Sequence, residues 1–157
     1  MQVRHNTAAL RTASRQEIAE GFRAVNRLNL DPNALRAYAE GLRTYPEMPF
    51  EQRGRFATMM TDHALFLEGA FALYESGQLE EQTYNGYLDS FACQLVAPGG
   101  AAWWTEISPF FLGRMVAAVD RRLAKGGLPD ITQLQFLRLN DSARSSGPGS
   151  NCGSAGT

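Results

Sequence analysis

Pro49-Phe-Glu-Gln-Arg-Gly-Arg-Phe-Ala-Thr-Met-Met-Thr-Asp-His-Ala-Leu-Phe-Leu-Glu-Gly-Ala-Phe-Ala-Leu-Tyr-Glu-Ser76 is the stretch on which the fold turns. Phe56, Met59, Met60, His63, Phe66, Leu67, Ala70, Phe71 and Tyr74 recur within it at three- and four-residue steps. That is the period of a helix, and a stripe this wide predicts a long central helix with neighbours on more than one side. Gly77 follows as a left-handed cap.

The pattern continues in both directions. Upstream, Asp31-Pro32 pairs an N-cap acceptor with a proline at the first helical position. Leu35, Tyr38, Ala39 and Leu42 then make a stripe to about Arg43, broken by Thr44-Tyr45-Pro46. Residues 2–29 hold no proline and one glycine, Gly21, and predict a long first helix. Ser14 with Glu17 offers a capping box, so a start near Ser14 and a start near residue 2 both stay open.

Downstream, Leu79 to Val96 predicts a helix carrying Tyr84, Tyr87, Leu88, Phe91, Ala92 and Leu95 on one face. Pro98-Gly99-Gly100 interrupts it, and Ala101 to about Glu106 predicts a short helix bearing Trp103 and Trp104. Ser108-Pro109 reads as the start of a last helix ending at Gly126-Gly127, and Ile131 to Leu139 as a short docking segment, helix or strand. From Asn140 the composition is that of a flexible Gly/Ser-rich tail. The expectation is an all-α irregular bundle of five or six helices, one domain over residues 1–139 and a tail over 140–157.

The 157 residues suit one domain, with 44% hydrophobic and 20% charged residues. The net charge of −1 conceals a segregation: residues 1–55 sum to +3, residues 56–113 to −7 without one Lys or Arg, and residues 114–157 to +3. No global basic field exists for nucleic acid. Acidic faces of the central helices should instead meet Arg from the flanking ones, or else form a docking surface for a basic partner. Cys93 and Cys152 make no disulfide framework and no CxxC, so a reduced, cytoplasmic protein is expected. No signal peptide is recognisable, and Gln94, Pro98, Gly99 and Gly100 interrupt the most apolar stretch. GxGxxG, a Walker loop and HExxH are all absent, and no cofactor is expected.

Five residues remain as candidates for a ligand site. Glu68 lies in apolar Phe66-Leu67-Glu68-Gly69-Ala70-Phe71, where burial demands a cation or backbone N–H groups; an Arg from a flanking helix is the expected partner. It fits a helix-registering charge or a ligand group. His63 fits a satisfied core histidine or a ligand or catalytic group. Trp103 and Trp104 stand ~100° apart on a helix, so both pack in the core or one reaches a groove. Tyr74 and Tyr84 are core aromatics or the wall of a pocket.

The sequence also resembles an uncharacterised bacterial all-helical family, often the soluble part of small proteins with an N-terminal membrane anchor. The likeness rests on Arg4-His5-Asn6-Thr7-Ala8-Ala9-Leu10-Arg11, Gln16, Asp31-Pro32, Arg53 to Phe56, Phe66 to Tyr74 and Gly77-Gln78-Leu79. It continues through Tyr87, Pro98-Gly99-Gly100 with Trp103-Trp104, and Phe110 to Asp120. Tyr87 stands where a Trp is usual. The resemblance implies a helical cytoplasmic domain and no assigned activity. Membrane association is expected of the relatives' preceding anchor, and no span is present in this chain. The functional expectation is a non-enzymatic interaction module, most simply a homodimer or a binder of an unknown protein. The alternative is a ligand-binding bundle with an aromatic pocket near Trp103 and Glu68.

Overall fold

The computed structural model describes Ala13, Gln16, and residues 18–24, 26–27 and 31–137. Ser14, the first residues and the 140–157 tail lie outside the described residues. The described residues are helical and contain no strand.

The first helix, α1, is seen at Ala13, Gln16 and residues 18–24 and 26–27. Next, α2 (Pro32–Thr44) starts where its signals place it: Asp31 accepts the Asn33 N–H at 2.8 Å, and Pro32 occupies the first turn. A 3-10 turn, Tyr45–Glu47, leads into α3 (Phe50–Glu75), whose 26 residues run about 39 Å. It ends on a Schellman motif. Gly77 takes φ +72°, Gln78 N–H reaches the Leu73 carbonyl at 2.9 Å, and Gly77 N–H reaches that of Tyr74 at 3.0 Å.

Beyond it lies α4 (Glu81–Val96), starting two residues later than the pattern predicts. The following helix, α5 (Pro98–Ile107), corrects the reading of Pro98-Gly99-Gly100 as a spacer. Pro98 stops α4 and at the same time opens α5, because a first-turn proline needs no N–H donor. Ser108-Pro109 does not open the last helix; Ser108–Phe110 is a 3-10 turn, and α6 (Gly113–Lys125) starts later. The segment after it makes two more 3-10 turns, Ile131–Gln133 and Gln135–Leu137, instead of an α-helix or a strand.

Helix α3 lies against α2 on one side and α4 on the other, while α5 packs on α2 and α4, and α6 on α4. Phe56, Met60, Leu67, Trp103, Met115 and Val119 are fully enclosed, and burying each such side chain contributes about 1.5–3 kcal/mol. Trp103 and Trp104 are both core residues, their ring centroids 6.1 Å apart, so neither reaches a surface groove.

The bundle is drawn tightest where α2 crosses α5. A Cβ on Gly99 would stand 1.8 Å from the Gly41 carbonyl oxygen, and one on Gly41 would stand 2.1 Å from the Phe56 ring. Only glycine permits this approach.

The opposed charge blocks meet between helices. Arg114 pairs with Glu75 at 3.0 Å, and Arg122 pairs with Asp89. The exposed Arg114–Glu75 pair contributes about 0–1 kcal/mol, so it orients helices more than it holds them.

Candidate functional site

Two turns along α3 from Phe56, the helices do not close on one another. Phe22 from α1, Tyr38 from α2, His63 from α3, and Ser90, Cys93 and Gln94 from α4 surround a cavity of about 340 Å³. Asn26 of α1, with Ile131, Leu134 and Leu137 of the C-terminal 3-10 segment, completes its wall. That segment is tied down. Asp130 accepts from the Thr132 N–H at 2.9 Å and from its hydroxyl at 2.7 Å, and these bonds hold the Asp130 carboxyl below the usual carboxylate range. Arg43 donates to the Thr132 and Leu137 carbonyls, both at 2.9 Å, and to Ala39 in its own helix at 2.6 Å.

His63 is 9% exposed and Gln94 7%. The Nδ1 atom of His63 and the Oε1 atom of Gln94 are both buried without a hydrogen-bond partner. The Gln94 carboxamide lies close to the imidazole and favours its charged form. Its Nε2 is turned to the Ser90 carbonyl at 3.3 Å, which leaves the oxygen free. His63 is thus a buried histidine beside the Gln94 amide, its Nδ1 without a hydrogen bond. A buried polar atom without a partner costs about 1–3 kcal/mol.

Burial keeps this lining uncharged. It lowers the His63 pKa from 6.5 to about 4, against opposing contributions from Asp62 and Gln94, so the ring is neutral at pH 7. Burial likewise raises the Tyr38 phenol, and it raises the Cys93 thiol with help from Asp89.

The other candidates stand elsewhere. Glu68 is half-buried, and its Oε2 accepts the Leu112 backbone N–H at 2.7 Å. Its partner is thus a peptide group at the start of α6 and not the Arg expected. This bond explains why α6 begins after Leu112, a boundary that no side-chain cap marks. Tyr74 and Tyr84 stack at 4.6 Å and 6°, next to Phe71. The Tyr84 hydroxyl is also buried without a partner, and burial first, then the charge of Tyr74, raises its pKa. Trp104 Nε1 donates to Asp120 at 3.2 Å. Of the five candidates His63 alone lines the 340 Å³ cavity; Glu68, Trp103, Tyr74 and Tyr84 do not.

Gln94 is the residue that sequence reasoning undervalues. It falls three residues after Phe91 on the buried face of α4, and a polar residue there is the signal. A wider groove of about 680 Å³, lined by Arg27, Asp31, Arg55 and Asp62 among others, holds none of the buried unpartnered atoms. No trio of His, Cys, Asp or Glu is placed to hold a metal among the described residues, and none of their helices is long and apolar enough to cross a membrane. No protein-family model, curated protein or solved structure matches the chain.

Proposed function

We propose that this protein is a non-catalytic small-molecule-binding bundle whose site is the His63–Gln94 cavity. One observation carries the reading: His63 and Gln94, buried polar residues on neighbouring helices, line one cavity together with the rings of Phe22 and Tyr38. A concave, mostly apolar site with a few convergent polar side chains is the usual form of a small-molecule site. The volume lies at the lower end of the roughly 300–1,000 Å³ range of small-molecule sites. An enzymatic role is not favoured, because no nucleophile, base and orienting group are joined by hydrogen bonds here. The reading places the protein in the cytoplasm, in keeping with the free thiol of Cys93 and with the bacterial helical family the sequence resembles.

The test is a fragment screen by heteronuclear NMR. Saturable shifts at Tyr38, His63, Gln94 and Leu134 are expected. An absence of hits there, with ordered water bonded to His63 and Gln94 in a crystal structure, overturns the reading.

A second reading is the interaction module, most simply a homodimer. It is supported by Phe50 and Phe110, which are 85% and 81% exposed. Light scattering coupled to size exclusion should give the mass of a dimer; a strict monomer at high concentration removes this reading.

A further inference from the structure

We propose that the outward face of α3 is a self-docking surface, on which a second copy of this chain lays its own α3 antiparallel, about a two-fold axis level with Thr58 and Met59. This rests on the homodimer reading above and gives it a surface and a register. Helices α2 and α4 take two sides of α3. The side left over carries Phe50, Gly54, Thr58, Leu65, Gly69 and Ala72, all exposed. Phe50 is 85% and Leu65 53% exposed, and a Cβ at Gly54 or Gly69 would meet nothing within 4 Å. The face is also short of hydrogen-bonding groups. The Thr58 hydroxyl donates to the Gly54 carbonyl at 3.0 Å, and that of Thr61 to the Ala57 carbonyl at 2.8 Å. Leu112 extends the apolar area, because the bond from its N–H to Glu68 holds it beside α3. Apolar surface gathered in this way marks an interface.

The occupant follows from charge on one edge of this face. Arg55 and Asp62 are seven residues apart, hence ~20° apart around the helix, and both border the groove toward α1 and α2. Asp62 makes no ion pair among the described residues. A two-fold axis across α3 sets this edge against itself with the direction reversed. Centred between residues 58 and 59, it brings Arg55 of each copy level with Asp62 of the other, giving two equivalent ion pairs. The bond from Arg55 to Glu51 within the helix, at 2.9 Å, leaves further guanidinium donors for them. The same register matches the apolar residues. Phe50 lies ~13 Å from the centre on one side, and Leu65 and Glu68 lie ~10 Å and ~14 Å from it on the other. Each Phe50 therefore lands on the Leu65–Leu112 patch of the other copy. A second copy thus answers both the charges and the exposed side chains of the face.

The experiment is sedimentation of the full chain over a range of concentrations, with circular dichroism to confirm that each variant is folded. A single helix pair lies at the small end of specific interfaces, so a dimer dissociating at about 1–100 µM is expected. Leu65→Glu should weaken it by about ten-fold or more, since it sets a charge in the apolar contact. Arg55→Asp and Asp62→Arg should each weaken it by about five-fold, and the double variant should recover the wild-type affinity. That recovery also shows that the single variants act through the interface and not through folding. A wild-type dimer that Leu65→Glu and both charge reversals leave intact overturns this surface and leaves the homodimer reading standing. Loss of the dimer in the single variants without recovery in the double variant overturns the antiparallel register. A strict monomer at about 1 mM wild-type chain overturns both the surface and the homodimer reading.

Discussion

At Phe56 the absence of a side chain on Gly41 lets the ring press against α2, and Gly99 brings α5 onto the same spot. At His63, seven residues and about 10 Å further along α3, helices α2 and α3 border a cavity with α1 and α4. Tyr38 joins the two ends, its ring centroid 6.2 Å from Phe56 and 6.1 Å from His63. The first end is filled by side chains and backbone in direct contact. The second leaves polar atoms unmet. At the first end backbone is held against backbone at Gly41 and Gly99.

This contrast can be broken from either side. Phe56→Ala should have the largest effect, a loss of about 3–5 kcal/mol in urea unfolding. A loss under about 1 kcal/mol would mean that the packed end is not packed. Gly99→Ala should cost about 3 kcal/mol, since its methyl meets backbone that cannot rotate away. Gly54→Ala, a change into open space on α3, should instead gain about 0.5–1 kcal/mol.

At the cavity end the sign depends on pH. The folded state holds the His63 pKa at about 4, below its ordinary 6.5, so between these values the unfolded chain binds the extra proton. Stability from this residue is complete above pH 6.5 and is lost as pH falls toward 4, by about 2 kcal/mol between pH 7 and 5. The difference between wild type and His63→Leu over that window isolates it; equal slopes would contradict the burial of a neutral ring. Gln94→Leu should show a similarly small effect, a gain of about 1 kcal/mol, because it removes a buried acceptor without a hydrogen bond. A clear loss would reveal a partner for that oxygen.

Much of the packed end was legible in local signals. Asp31-Pro32 marked α2, and the three- and four-residue steps from Phe56 to Tyr74 marked α3 and its wide buried face. The crossing was not legible, because Gly41 and Gly99 are far apart in the chain and each looks like an ordinary helical glycine. Pro98 misled for a related reason: a proline that ends one helix reads the same whether or not it starts another. The cavity was half legible. His63 stood out as a polar residue on an apolar stripe, but whether it was satisfied depended on the register of α4, which no local pattern encodes. Glu68 was recognised as needing a partner, yet a backbone N–H at residue 112 leaves no mark in side-chain identity.

The bonds from Arg43 to Thr132 and Leu137 have a kinetic consequence. They link residues 89 and 94 positions apart, among the most distant contacts along this chain, and they fasten the wall formed by Ile131, Leu134 and Leu137. Closing so long a loop carries a larger entropic cost than forming the α3–α4 hairpin, so this wall assembles after the helices and detaches before them. Its amides should exchange with solvent through a sub-global opening that leaves α3 and α4 protected.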